Sequence, residues 1–350
     1  ITNDDLSAHA QQLCQGSCAD RGTFISQIGQ NCFLSFFCCH GETLPLNNML
    51  YYRFKTFTTS YYFPKLSKEK EYMYGLYSSY GGKLSKLYWQ LFKKYSFVRS
   101  LTSINEKKLP FPYPTIKKCL GDDLLLAFNM GSPGVEQKIS ILGYDYKKKV
   151  PFFAKFSQKE IAKRLTKNEI NIYTILKGTK LTPNLLSYQI TENYVCMKAE
   201  YIKGERPKEK DINSEIVQLC ILLKNFHLSG SIRGNNSLET CLSHGDFCPW
   251  NILVSDKEMR LIDWELAKDR PLGYDLFTYI CQIAILFKPE SNLLQVIDNN
   301  IKFIKEYFDY CGIKNYIPYL KAFAKEKSDY ELKKGNIQSY NKYHKLEIDL

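Results

Sequence analysis

Apolar and polar residues follow two rhythms along this chain, and the change between them marks its organisation. From Cys119 the short rhythm of strands dominates. Residues 124–128, 138–142 and 150–156 are apolar runs. The turn Asn129-Met-Gly-Ser-Pro-Gly134 and a lysine-rich turn at 147–149 separate them. Residues 157–177 predict a helix, with Ile161, Leu165, Ile172, Ile175 and Leu176 on one side and Gly178 as its stop. Two further strands are predicted at 185–190 and 194–199, and Glu200-Tyr-Ile-Lys-Gly204 reads as a connector. Beyond Gly204 the helical rhythm takes over. Ile216, Leu219, Cys220, Leu223 and Phe226 form a helical stripe within 212–227. Residues 275–287 predict an apolar helix, and more helices are expected from 293 to the C-terminus.

One stretch in the second half departs from both rhythms. Ser243-His-Gly-Asp-Phe-Cys-Pro-Trp-Asn-Ile-Leu253 is followed closely by Leu261-Ile-Asp-Trp-Glu265, with a polar turn at 255–258 between them. This predicts a hairpin carrying Asp246, Asn251 and Asp263. Such side chains can position a hydroxyl and hold magnesium, a hard cation that prefers oxygen ligands. The structural alternative for Asp246 is a turn-capping aspartate.

Ahead of residue 119 the pattern is different. Residues 1–46 hold a Cys-containing segment of uncertain fold. Residues 47–115 form a basic, aromatic region, partly helical, in which Leu84, Leu87, Tyr88, Leu91, Phe92 and Tyr95 fall at helical spacing. Pro110, Pro112 and Pro114 read as a linker into the next unit. The expected divisions are therefore 1–46, 47–115, 116–203 and 204–350.

Composition adds three points. The formal net charge is +12, and residues 51–118 carry 14 Lys and Arg against 3 Glu. They also carry 18 of the 50 aromatic residues. A basic amphipathic helix there suits packing on a neighbouring domain. It also suits peripheral contact with an anionic membrane surface or a carrier lipid, while nucleic acid is the weakest of the three readings. No apolar run is long enough to span a bilayer, and no basic-then-apolar signal opens the sequence, which begins at Ile1. Of twelve cysteines, seven are scattered from Cys119 onward, which points to a reducing, cytoplasmic compartment. Cys14, Cys18, Cys32, Cys38, Cys39 and His40 are crowded, but their spacing makes no convincing zinc module, so free or buried thiols are the plainer reading.

Lys155 sits between Ala154 and Phe156 in a predicted strand, where a buried ammonium needs a partner. Glu169 lies halfway along the following helix. Glu160 is the competing acid, but its place near the helix start suits the dipole. A snorkelling Lys155 and a solvated Glu169 are the structural alternatives. The spacing His244-x-Asp246-x-x-x-x-Asn251 is that of a kinase catalytic loop.

Residues 243–265 closely resemble the aminoglycoside phosphotransferase/choline kinase family, and the resemblance extends over about residues 119–287. It implies an α+β, protein-kinase-like, two-lobed fold. A small antiparallel sheet with one main helix forms the N-lobe, a larger helical C-lobe carries the hairpin 243–265, and an extra N-terminal region precedes both. It also implies phosphoryl transfer from ATP, or GTP, with Mg2+, to a hydroxyl of a small molecule: a sugar, amino sugar or amino alcohol. Asp246 would orient or deprotonate that hydroxyl, and Asn251 and Asp263 would ligate magnesium. Lys155 would contact phosphates and pair with Glu169. The turn bearing Ser132 would cover the phosphates. Glu200 and Ile202 would flank the adenine. His244 reads more readily as a loop buttress than as a proton shuttle, and Asp275 would support the loop. Cys248 stands where many members have His, and Trp250 where many have Gly. The alternative is a catalytically silent, kinase-like binding or membrane-associated scaffold, against which the intact Asp246, Asn251 and Asp263 set argues.

Overall fold

The computed structural model describes residues 49–55, 59–64, 103–207, 211–228, 238–255 and 258–350. The crowded cysteines with His40, and the helix expected over 84–95, lie outside these residues. The chain divides into two compact units. One holds the described residues up to Gly204 together with Arg260–Glu265. The other holds Glu205–Met259 and Leu266–Leu350.

The first unit is built on an antiparallel sheet of eight strands among the described residues. They are β1 (Leu50–Lys55), β2 (Ser60–Pro64), β3 (Ser103–Asn105), β4 (Leu124–Asn129), β5 (Ile139–Asp145), β6 (Val150–Ser157), β7 (Leu185–Ile190) and β8 (Val195–Glu200). Their order across the sheet is β3-β1-β2-β4-β5-β6-β8-β7. The strands from β4 onward fall where the apolar runs predict them, because each run can satisfy its backbone only by pairing with its neighbour. Strands β1 to β3 were not expected. Aromatic residues conceal them: Tyr51, Tyr62 and Phe63 are buried, and only Arg53 of the described β1 side chains is exposed. Tyr51, Phe111 and Tyr113 surround Phe128 with ring centroids 5.9, 4.7 and 5.9 Å away. Part of the aromatic richness of this region is therefore core.

The prolines also behave differently from a linker. Helix α1 (Tyr113–Leu120) begins right after Pro112 and has Pro114 in its first turn, where a missing N–H costs nothing. Its Ile116 and Leu120 are buried in the same core. Helix α2 (Glu160–Ile175) starts three residues later than expected, because Ser157 still belongs to β6. Gly178, at φ +84°, follows its end.

The second unit is mainly helical. Asn213 caps α3 (Ser214–Leu223) by accepting from the Ile216 N–H at 3.1 Å. Two short strands, β9 (Thr240–Ser243) and β12 (Lys268–Pro271), pair antiparallel. Four residues each is too short for a periodic signal, and neither was expected. Strands β10 (Ile252–Ser255) and β11 (Glu258–Leu261) make the expected ribbon. Five helices follow: α4 (Tyr274–Phe287), α5 (Leu293–Asn299), α6 (Ile301–Tyr310), α7 (Ile317–Lys333) and α8 (Ile337–Asp349). Among the described residues no helix is long and apolar enough to cross a membrane.

Replacing Phe128 with Ala should cost about 3–5 kcal/mol, since its ring is fully buried and the three rings around it cannot all collapse. Denaturant unfolding of the full chain measures this. A loss below about 1 kcal/mol would mean that β1, β2 and α1 do not share this core.

Candidate functional site

In the sheet unit the site is built on β6. Its strand register carries Lys155 opposite Ser140 of β5 and Met197 of β8. The residue is buried, so its charge requires local compensation. Two carboxylates provide it. Lys155 Nζ donates to Glu169 Oε2 at 2.5 Å and to Asp263 Oδ1 at 2.6 Å. Burial alone would push the Lys155 ammonium down, but Asp263 and Glu169 outweigh it and hold it well above the usual lysine value. Glu160 has no part in this pair. Its carboxylate is exposed and bonds Lys163, three residues on.

Asp263 reaches Lys155 from a backbone at φ +69°, in the left-handed region that side chains other than glycine rarely adopt. Its side chain keeps 40% of its surface exposed, against 5% for Lys155 and none for Glu169. It is therefore the member of the trio open to a ligand. Glu265 completes a cluster: one oxygen from each of Glu169, Asp263 and Glu265 lies within 4.8 Å of the others. An all-oxygen set of this kind fits a hard divalent cation. Lys138, just before β5, forms an ion pair with Glu265. Burial and the neighbouring Lys155 push its ammonium down. Neither Glu265 nor Lys138 had been singled out from sequence. Glu265 follows Asp263 in a single 3-10 turn, Trp264–Leu266, too short to leave a periodic signal. Lys138 looked like the first residue of an ordinary strand, although the hairpin register places Ser140, two residues on, opposite Lys155.

The turn bearing Ser132 leads into Lys138. Asn129 Oδ1 accepts from the Gly131 N–H at 2.9 Å, and Lys159 Nζ bonds the Gly134 carbonyl at 2.6 Å. Gly131 is required, since its φ is +65° and a Cβ would come within 2.6 Å of the Lys138 carbonyl oxygen. Ser132 itself is exposed. At the far end of the sheet Glu200 accepts from Asn184 Nδ2 at 2.7 Å and from Arg260 at 3.3 Å, which ties down the start of the connector. Ile202 is buried.

In the helical unit Asp275 organises the loop that carries Asp246. It lies in the first turn of α4 after Gly273, which has φ +80°. Its carboxylate accepts from Ser243 Oγ at 2.7 Å, the His244 N–H at 2.6 Å and the Gly245 N–H at 3.0 Å. Three donors on one buried carboxylate leave the loop little freedom. Gly245, at φ +84°, lets the chain turn where a Cβ would meet the Leu266 carbonyl oxygen at 2.6 Å. His244 is fully buried, and its Nδ1 accepts from the Asp246 N–H at 3.3 Å, which is the buttress geometry.

Pro249, Trp250 and Asn251 make a single 3-10 turn ahead of β10. That turn folds Asn251 back, so its Nδ2 donates to the Asp246 carbonyl and to Asp246 Oδ2, both at 2.9 Å. The Cys248 thiol faces Asp246 Oδ1 at 3.6 Å. Burial, and Asp246 beside it, push that thiol well up, so it stays protonated and is a poor nucleophile. The predicted residues thus group as Lys155, Glu169 and Asp263 in the sheet unit, and as His244, Asp246, Asn251 and Asp275 in the helical unit.

Comparison with known proteins gives the following. The choline/ethanolamine kinase family profile matches residues 153–346. No curated protein matches the chain. Among solved structures, an amicoumacin kinase, hAmiN, in complex with AMP-PNP, Ca2+ and Ami is 11% identical with a TM-score of 0.37, covering 49% of this chain and 70% of that one. An aminoglycoside-3'-phosphotransferase of type VIII is 14% identical with a TM-score of 0.36, covering 49% of this chain and 81% of that one.

Replacing Lys155 with Met should destabilise the fold by about 3–5 kcal/mol, because Glu169 is left as an unpaired buried charge. A Lys155→Met, Glu169→Leu double variant should recover much of that loss. Denaturant unfolding of the two variants checks this, and a double variant no more stable than the single one would contradict it.

Proposed function

Because the chain belongs to the choline/ethanolamine kinase family, we propose that it is a small-molecule kinase. It transfers the terminal phosphoryl group of ATP, with GTP as the alternative donor, to a hydroxyl of a sugar, amino sugar or amino alcohol. Such a transfer needs a cation on the phosphates, a divalent metal on oxygen ligands and an aligned acceptor hydroxyl. The observation that carries the reading is Lys155, buried and held between Glu169 and Asp263. A cation fixed in this way is preorganised for a phosphate, and Asp263 stays exposed enough to exchange its lysine contact for a metal.

Each residue takes one task. Lys155 contacts the α- and β-phosphates, with Glu169 holding its ammonium in place. Ser132 and its braced turn cover the phosphates, and Lys138 adds a second cation beside them. Glu200 and Ile202 flank the adenine through the backbone of the connector. Asn251 and Asp263 are the magnesium ligands, and Glu265 offers a further carboxylate. When bound, the magnesium ion neutralises charge on the phosphates. Asp246 accepts a hydrogen bond from the acceptor hydroxyl and orients it, with His244 and Asp275 acting through the loop as positioning residues. A silent scaffold is the less economical reading, since it gives no reason for the left-handed Asp263 or for the three donors on Asp275.

Incubation with Mg-ATP and a panel of hydroxylated acceptors should yield a phosphorylated product. Asp246→Ala should bind nucleotide normally yet transfer about a hundredfold more slowly, or worse. Asp263→Ala should lose the metal-dependent part of nucleotide affinity. Absence of both nucleotide binding and product across the panel would sink the kinase reading.

A further inference from the structure

Each carboxylate of the cluster in the sheet unit already carries an ammonium. Lys155 bridges Glu169 and Asp263, and Lys138 takes Glu265. Three carboxylates thus face two ammonium groups, and one negative charge is left over. A metal ion and an ammonium use the same carboxylate lone pairs and repel each other at contact distance. Oxygens of Glu169, Asp263 and Glu265 lie within 4.8 Å of one another, so a divalent cation among them meets both lysines.

The two lysines yield to such a cation differently. Lys155 is buried between β5 and β8, and if it gives up Asp263 it still keeps Glu169. Lys138 pairs with Glu265, and their side chains are only 17% and 18% exposed, so water screens the pair little. The backbone of Glu265 is fixed. Asn168, beside Glu169 on α2, donates to its carbonyl at 3.0 Å, and the indole of buried Trp264 donates to the Leu261 carbonyl at 3.0 Å. The backbone of Lys138 is packed under the turn that bears Ser132, where its carbonyl oxygen leaves no room for a Cβ on Gly131. What can turn is the long, flexible stem of the lysine, and it starts beside that turn.

We infer that Lys138 is a tethered placeholder for the metal. Without nucleotide its ammonium holds the Glu265 carboxylate, and it leaves that carboxylate for the phosphates when a divalent cation takes Glu265. Lys138 is then a positioning residue that couples metal to nucleotide. The coupling is reciprocal: phosphates that draw Lys138 away free Glu265 for the metal, and a metal on Glu265 sends Lys138 to the phosphates. The inference rests on the kinase reading for the phosphates, and on the carboxylate cluster alone for the competition between Lys138 and the metal.

Mn2+ is the probe, because it takes oxygen ligands and its bound fraction is read by electron paramagnetic resonance. Without nucleotide, the full chain carrying Lys138→Met should bind Mn2+ about tenfold more tightly than wild type. Lys138→Arg, which keeps the charge, should bind it like wild type. The gain should vanish in a Glu265→Gln background, where the carboxylate being contested is gone. A gain of the same size there would mean plain repulsion across the site and would overturn the proposal, as would equal Mn2+ affinity in wild type and Lys138→Met. A non-hydrolysable ATP analogue should tighten Mn2+ binding more in wild type than in Lys138→Met, and an equal effect in both would overturn the coupling. If Lys138→Met fails to fold, wild-type crystals soaked in Mn2+ decide. An anomalous peak on Glu265 with Lys138 drawn back supports the placeholder, and a peak beside an unmoved Lys138 removes it. Competition between Lys138 and Mn2+ in a chain that binds no nucleotide would refute the kinase reading and leave the competition standing.

Discussion

A lysine in the middle of a sheet cannot remain charged unless carboxylates come to it, and Lys155 meets that demand from two directions. Glu169 arrives from a helix fourteen residues on, and Asp263 from more than a hundred residues away. Either carboxylate alone would balance the ammonium, so the second gives the trio a net negative charge, which suits a further cation in a medium of low dielectric. The course of the chain follows from this. Helix α2 must lie so that its midpoint faces β6, and Arg260–Glu265 must be carried into the sheet unit although the residues on either side belong to the helical one. The left-handed backbone of Asp263 is the local strain that accompanies this arrangement.

The helical unit answers a similar demand with the signs reversed. Asp275 is a buried carboxylate satisfied by one hydroxyl and two backbone N–H groups, and in being satisfied it shapes the loop that carries Asp246. Behind that loop a buried cation is matched in turn. Arg270 is matched by Glu326 at 2.7 Å and stacks 4.4 Å from the Tyr274 ring. Burial would raise the Glu326 carboxyl, but Arg270 holds it below the usual range.

Much of the candidate site was legible in the sequence because it is local. His244, Asp246 and Asn251 share one short loop, and their spacing survives folding. Asp275 was legible through its likeness to a family aspartate. Lys155 announced itself as a charge flanked by apolar residues, and Glu169 as the acid one helix away. Glu265 and Lys138 were not legible, since each gains its meaning only from a neighbour on another element. Strands β1 to β3 were missed for a related reason. Their aromatic and basic composition fits a surface helix as well as a strand, and only the partner strand β4 and the Phe128 cluster distinguish the two.

The sequence by itself determined the family, the order of strands and helices from residue 124 to the end of β8, and the residues of the Asp246 loop, because these depend on short-range spacing and on side-chain chemistry. The tertiary structure decided that Glu169 rather than Glu160 pairs with Lys155, that the sheet continues through β1 to β3, and that prolines 112 and 114 start a helix. Each of these turns on which distant groups share a buried volume, and the penalty for burying a charge or a hydrogen-bonding group exists only once that volume has formed.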